Sequence, residues 1–481
     1  MEVMTNVLVG WGESAGSVIW RETVVRAGST GRFARIIGPS SAWAHRVDER
    51  GDGIPTRSVS FFHNAQSTPP GAAGLIGFLS SSETGLLMSI DLERLRAETP
   101  GVVNRVHLNN AGAGLMPLPV LQAMTDYLRR EAEIGGYEAA AEAAARLDGV
   151  YDSVAGLIGA ARDEIALTEN ATVAWQMAFY ALLLRAGDRI LTARAEYAAN
   201  YVAFLQVAKR TGAVIEIIPD DASGVLDAQA LERMLDDRVR LIAITWVPTN
   251  GGLVNPAADV GRIARAHGIP YLLDACQAVG QMPVDVAALG CDMLSATGRK
   301  FLRGPRGTGF LYVRRELLGK LEPPMIDHFG APWVAPDRYQ LRADARRFET
   351  WENNYAARLG LGVAVDYAQA IGIEPIAARC RTLAGRLRTG LGQIPGVTIH
   401  DLGPHPAAIV TFSVPGFEAD AVKRHLAGAG INVSTSDPAS TLLDAKRRAL
   451  PSIVRASPHY YNTEDEIDRL TTAVRKLRDR R

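Results

Sequence analysis

Lys300 sits in the run Ser295-Ala-Thr-Gly-Arg-Lys300, 26 residues after Asp274, the last residue of the apolar stretch Tyr271-Leu-Leu-Asp274. Lysine is scarce here: six of 481 residues, against 46 arginines. A lysine set among Ser, Thr and Gly between apolar stretches is therefore read as chemical rather than as surface charge. Such an amine condenses with an aldehyde. A carboxylate at the end of an apolar strand is poorly hydrated and needs a partner, and a protonated pyridine nitrogen is a fitting one. The two residues point to a pyridine aldehyde cofactor, with Lys300 and Asp274 as the catalytic pair. The structural alternatives are a salt bridge or helix cap for Asp274 and a solvated Arg299-Lys300 pair before a Gly-rich loop.

Other residues fall into place around this pair. Gln277, close after Asp274, can reach another edge of the same ring. Thr297 and Arg299 suit a phosphate, the guanidinium by its planar fork. Asn170-Ala171-Thr172 precede a helical run over 173–184, where free N–H groups attract phosphate, although Asn or Thr there is also an ordinary cap. Tyr197, in Glu196-Tyr-Ala-Ala-Asn200, either stacks on a planar ring or fills the core as a boundary aromatic. The nine histidines are scattered and form no H-E-x-x-H or comparable cluster, so no metal site is expected.

These residues need strands that deliver them to one edge. Apolar runs predict strands over 106–108, 189–192, 214–218, 240–247, 271–274 and 310–313. Helical spacing predicts helices over 90–98, 119–133, 139–158, 200–211, 228–235 and 259–267. Continuous apolar strands alternating with helices indicate an α/β sheet covered on both faces, with ligands beyond the carboxyl ends of the strands. From about residue 347 the pattern becomes α+β, with long helices over 355–373 and 377–391. Strands over 408–414, 431–434 and 453–456 and helices over 418–429 and 463–478 follow. Residues 1–87 keep no regular period and read as a weakly ordered extension or an over-long start before Met88.

Composition sets the frame. With 47% apolar and 22% charged residues and zero formal net charge, the chain has the make-up of a globular protein without electrostatic bias toward nucleic acid or membrane. No apolar run is long enough to span a bilayer, and the expected compartment is the cytoplasm. Cys276, Cys291 and Cys380 are too few and too far apart for a disulfide framework.

With these residues in view, residues 90–480 resemble the class V, fold type I pyridoxal-phosphate enzymes, among them cysteine desulfurases and isopenicillin N epimerase-like proteins. The resemblance implies a large domain over 106–354 with a mainly parallel seven-stranded sheet between helices. It also implies a small α+β domain over 355–481, with 88–105 packed against it. The cofactor is then pyridoxal 5'-phosphate, bound by Ala171, Thr172, Tyr197, Thr249, Asp274, Gln277, Thr297, Arg299 and Lys300. Asn109-Asn-Ala-Gly-Ala-Gly114 is similar to the family's substrate loop, which assigns Asn110, Ala113 and Gly114 to the substrate. Val454-Arg-Ala-Ser457 is similar to the stretch whose arginine, here Arg455, holds the α-carboxylate. Arg347-Phe-Glu-Thr-Trp-Glu352 resembles the segment that approaches a neighbouring subunit's cofactor through Thr350 and Trp351, which implies a homodimer.

One departure bears on the reaction. Residues 431–454, where a desulfurase carries its mobile nucleophilic cysteine, contain none. The expected chemistry is loss of the α-proton of an amino acid to Lys300, followed by one of three outcomes. The sequence reading ranks transamination first, then β-elimination from a cysteine-type substrate, then epimerisation. A non-catalytic binding protein that keeps the fold is the alternative of another kind.

Overall fold

The structure is a computed structural model that describes residues 90–479 and, before them, 3–10, 18–27 and 32–39. The chain divides into two compact units, Met1–Ser81 and Ser82–Arg481. In the first, strands Val3–Gly10, Val18–Ala27 and Arg32–Pro39 pair antiparallel in sequence order. The sequence reading found no strand period here. The correction rests on local composition, since Val18-Ile-Trp-Arg-Glu-Thr-Val-Val is rich in β-branched residues. The rest of the 1–87 expectation lies outside the described residues.

The second unit is built on a seven-stranded sheet. Its order is Ile165–Thr168, Gly309–Val313, Met293–Thr297, Tyr271–Asp274, Val239–Thr245, Arg189–Thr192, Val214–Ile217. Only Gly309–Val313 runs against its neighbours; the remaining pairs are parallel. Successive side chains enter opposite cores, as the pleat requires. Tyr271 and Leu273 pack on one face with Ile242, Ile244 and Leu294. Leu272 packs on the other with Leu241, Ala243 and Met293. Burial on both faces explains why these strands read as continuous apolar runs.

Five parallel strands end on a polar residue: Thr168, Thr192, Thr245, Asp274 and Thr297. Apolar side chains hold each strand in the core, and the strand-terminal Thr245, Asp274 and Thr297 line the cleft. Helices then begin near this edge. Asn170 caps Ala171–Tyr180 by accepting from Val173 N, and Tyr197 precedes Ala198–Thr211.

A four-stranded sheet, Thr398–Ile399, Val410–Ser413, Ile453–Ala456 and Ser434–Ser436, carries Arg455. Helix Glu464–Arg478, started by a Thr463/Glu466 capping box, lies beside helices Ile373–Gly392 and Ala419–Gly428. The single strand expected over 431–434 is two. Ile431–Asn432 pairs in parallel with Val106–His107, and Ser434–Ser436 joins the sheet. The expected helix over 139–158 is likewise interrupted at Ala143, between Gly136–Glu142 and Ala144–Ile158. Arg96 donates to Tyr461 O and Glu466 Oε1, both at 2.9 Å, tying the first helix to the C-terminal elements.

Candidate active site

Asp274 is 5% exposed, and its carboxylate has only neutral partners. Asn200 Nδ2 donates to Oδ2 at 2.9 Å and Cys276 N to Oδ1 at 2.9 Å. No ion pair engages it among the described residues, so the salt-bridge alternative is not what this site contains. A buried carboxylate in direct contact with no cation has room for a charged partner.

Lys300 lines a cavity of about 400 Å³ with Asn170, Ala171, Thr172, Tyr197, Asn200, Asp274, Cys276, Thr297 and Arg299. Burial lowers the pKa of its ammonium, against the opposing pull of Cys276 and Asp274. A lysine so placed gives up its proton more readily than one in water.

The backbone before the lysine is clamped to the Asn109–Gly114 loop. Gly114 N donates to Arg299 O at 2.8 Å, and Arg299 Nη1 donates to Gly112 O. Gly114 has no room for a side chain, since a Cβ there would stand 2.7 Å from Lys300 O. Gln277 Nε2 reaches Ala111 O at 3.2 Å. Ala113 O faces His107 Nε2 at 2.8 Å.

The structure redistributes several expected roles. Tyr197 is 37% exposed and lines the cavity, so it does not fill the core. Thr249 meets the guanidinium of Arg455, whose Nη1 donates to its O and Oγ1. Thr249 also lines a pocket with Tyr197, Asp274, Gln277 and Lys300, so it stands between that pocket and Arg455. Arg455 is 8% exposed, and its Nε has no partner. Burial, with Arg299 nearby, lowers its pKa to about 10. Asn110 is fully buried. Its amide is committed to the scaffold, donating to Ser457 O at 2.8 Å and accepting from Tyr461 Oη. The neighbouring Asn109 is the one with an unpaired buried Oδ1. Thr297 Oγ1 donates to Thr308 O at 3.1 Å, so its hydroxyl proton faces the backbone. Thr350 O accepts from Asn353 Nδ2 at 2.6 Å, and Trp351 is exposed, its ring 5.2 Å from that of His328.

Two positioning groups escaped the sequence reading. Arg303, 1% exposed and left-handed at φ 61°, donates to Leu115 O, Tyr460 Oη and Thr99 Oγ1 at 2.6–2.7 Å. It joins the lysine turn to the C-terminal tyrosines. Glu196 accepts five hydrogen bonds behind Asp274, from Thr192, Tyr197, Asn200 and Thr245. Its only sequence signal was its place just past a strand, four residues before Asn200.

The sequence profile of the family described as Aminotransferase class-V matches residues 106–470. A probable cysteine desulfurase of Methanothermobacter thermautotrophicus is 32% identical over 392 residues, covering 80% of this chain and 98% of that one. The apo structure of a cysteine desulfurase from Thermococcus onnurineus NA1 superposes with a TM-score of 0.76 at 28% identity, covering 82% and 99%. A variant of the enzyme C-DES, with glycine covalently linked to its PLP cofactor, shares the fold at 24% identity and TM-score 0.72, covering 79% and 98%. The chain belongs to the class V aminotransferase family and has its fold type I architecture.

The family is pyridoxal-phosphate dependent, and the residues present fit that group. Asp274 lacks a cation, while Gln277 Oε1 and Ser295 Oγ are buried without partners. The start of helix Ala171–Tyr180, with Thr172 exposed, opens on the same cavity as Arg299.

Proposed function

We propose that the protein is a pyridoxal-phosphate-dependent carbon–sulfur lyase. It acts on an amino acid with sulfur at the β-carbon and releases the sulfur instead of storing it on a cysteine. The observation that carries this reading is the cysteine inventory. The relatives are named cysteine desulfurases, yet only Cys276 lines the Lys300 cavity. Its thiol is pushed far above the usual range by burial and by Asp274, which keeps it a poor nucleophile. Cys291 and Cys380 are buried in the core. Cysteine-type relatives move β-elimination ahead of the transamination that the sequence reading ranked first.

Bound pyridoxal phosphate supplies a sink for the electron pair left when the α-proton departs. The chain's residues do the rest. Asp274 would keep the ring nitrogen protonated, with Tyr197 and Gln277 lining the same space. Thr172, Arg299 and the N–H groups of Ala171 and Thr172 would receive the phosphate. Arg455, steadied by Thr249, takes the substrate α-carboxylate. Lys300 Nζ, its ammonium pKa lowered by burial, would remove the α-proton as general base. Expulsion of the thiolate from the β-carbon and uptake of water then give pyruvate, ammonia and thiol.

Cys276→Ala tests the sulfur route. With free cysteine as substrate, release of sulfide with pyruvate and ammonia is expected to continue in the variant at a comparable rate. Formation of alanine by the native protein, lost in the variant with the cofactor still bound, would restore a persulfide on Cys276.

A further inference from the structure

We infer that Glu196 is a positioning residue that, through the Asn200 amide, fixes the Asp274 carboxylate and adds a second negative charge behind the ring-nitrogen site. One Asn200 Nδ2 donates both to Glu196 Oε1, at 2.8 Å, and to Asp274 Oδ2, at 2.9 Å. Its two N–H bonds link the two carboxylates directly. Glu196 is held from three sides. Thr192 Oγ1 donates to Oε2 at 3.1 Å from one strand end, and Thr245 N and Oγ1 donate from the next, at 2.9 and 2.6 Å. Tyr197 N adds a bond to Oε1 at 3.0 Å, so the same carboxylate orients the residue whose ring lines the cavity.

All these donors are neutral, and Glu196 forms no ion pair among the described residues. The titratable groups facing it are Asp274 and Tyr271 from the adjoining strand and Tyr197 beside it. Burial and the nearby Asp274 raise its pKa to about 7, against its hydrogen bonds. Both oxygens of Glu196 accept from a backbone N–H, Tyr197 N on Oε1 and Thr245 N on Oε2, a pattern that a carboxylate satisfies and a glutamine amide does not. A carboxylate one amide away from Asp274 also raises the proton affinity of whatever Asp274 faces. The inference rests on the cofactor and not on which bond is cleaved.

The test is a spectral pH titration of the bound cofactor in the holoenzyme, with no substrate present. Glu196→Gln is expected to move the midpoint to lower pH by about one unit, and Glu196→Asp to restore it toward the native value. Thr192→Val removes one donor to Glu196 without touching the cavity and favours its neutral form. It is expected to shift the midpoint in the same direction by less, and it decides the matter if Glu196→Gln fails to fold. An unchanged or raised midpoint in the folded variants, with the cofactor bound, would overturn the proposal and leave Glu196 as scaffold.

Discussion

At the residue scale, the charges of the site form no ion pair among the described residues. Lys300 and Arg299 line a cleft, with Arg455 behind its Thr249 wall, and the one lining carboxylate, Asp274, is bonded only to neutral groups. Bound phosphate, pyridinium and substrate carboxylate would complete it. Lys300→Ala should remove the visible absorption band of the covalently held cofactor while leaving circular dichroism unchanged. An intact band would show that another amine holds it. Arg455→Ala should lower kcat/KM by about 30-fold, near 2 kcal/mol, because a charged hydrogen bond to substrate is lost. A variant with native kcat/KM would place the carboxylate elsewhere. Glu196 adds a pH signature. Its folded-state pKa of about 7 lies above the usual 4.5. The folded state therefore binds the extra proton, and this contribution to stability is full below 4.5 and lost as pH rises through 7. In urea unfolding, the fall in stability between these pH values should be shallower in Glu196→Gln than in the native protein.

At the scale of elements, the strand ends do the positioning. Tyr271–Asp274, Arg189–Thr192 and Ile453–Ala456 were legible in the sequence to the residue, because apolar runs bounded by polar residues mark strands buried on both faces. Lys300 and Asp274 were legible for the same reason, since each stands where an apolar strand gives way to polar residues. What stayed hidden depends on long-range contact. The partners of Arg303 come from Thr99, Leu115 and Tyr460, far apart in sequence, and no local pattern announces them. Asn110 and Asn109 differ only in which amide the fold consumes. Arg303→Ala strips three hydrogen bonds from neutral partners and should cost about 2–4 kcal/mol. Thermal unfolding measures it, and a melting point near native would deny Arg303 that role. Asn170→Ala should cost about 1 kcal/mol through the lost cap, with cofactor affinity falling as the helix start loosens.

At the scale of the molecule, the unit Ser82–Arg481 brings the large sheet, the smaller sheet and the Asn109–Gly114 loop to one cleft. No helix among the described residues is long and apolar enough to cross a membrane. Exposed Trp351, Trp333 and Tyr339 suit burial against a second copy, in keeping with the homodimer that the family resemblance implies. Light scattering should give twice the chain mass, and Trp351→Ala should weaken both association and cofactor retention. A native monomer with full activity would remove the neighbouring-subunit role of Thr350 and Trp351. The central claim, sulfur release by β-elimination, is tested most directly by product balance. The purified holoenzyme is incubated with an S-substituted cysteine, with and without a 2-oxo acid. The account predicts pyruvate, ammonia and free thiol in equal amounts, with no amino group passed to the 2-oxo acid. Amino transfer without thiol release would contradict it.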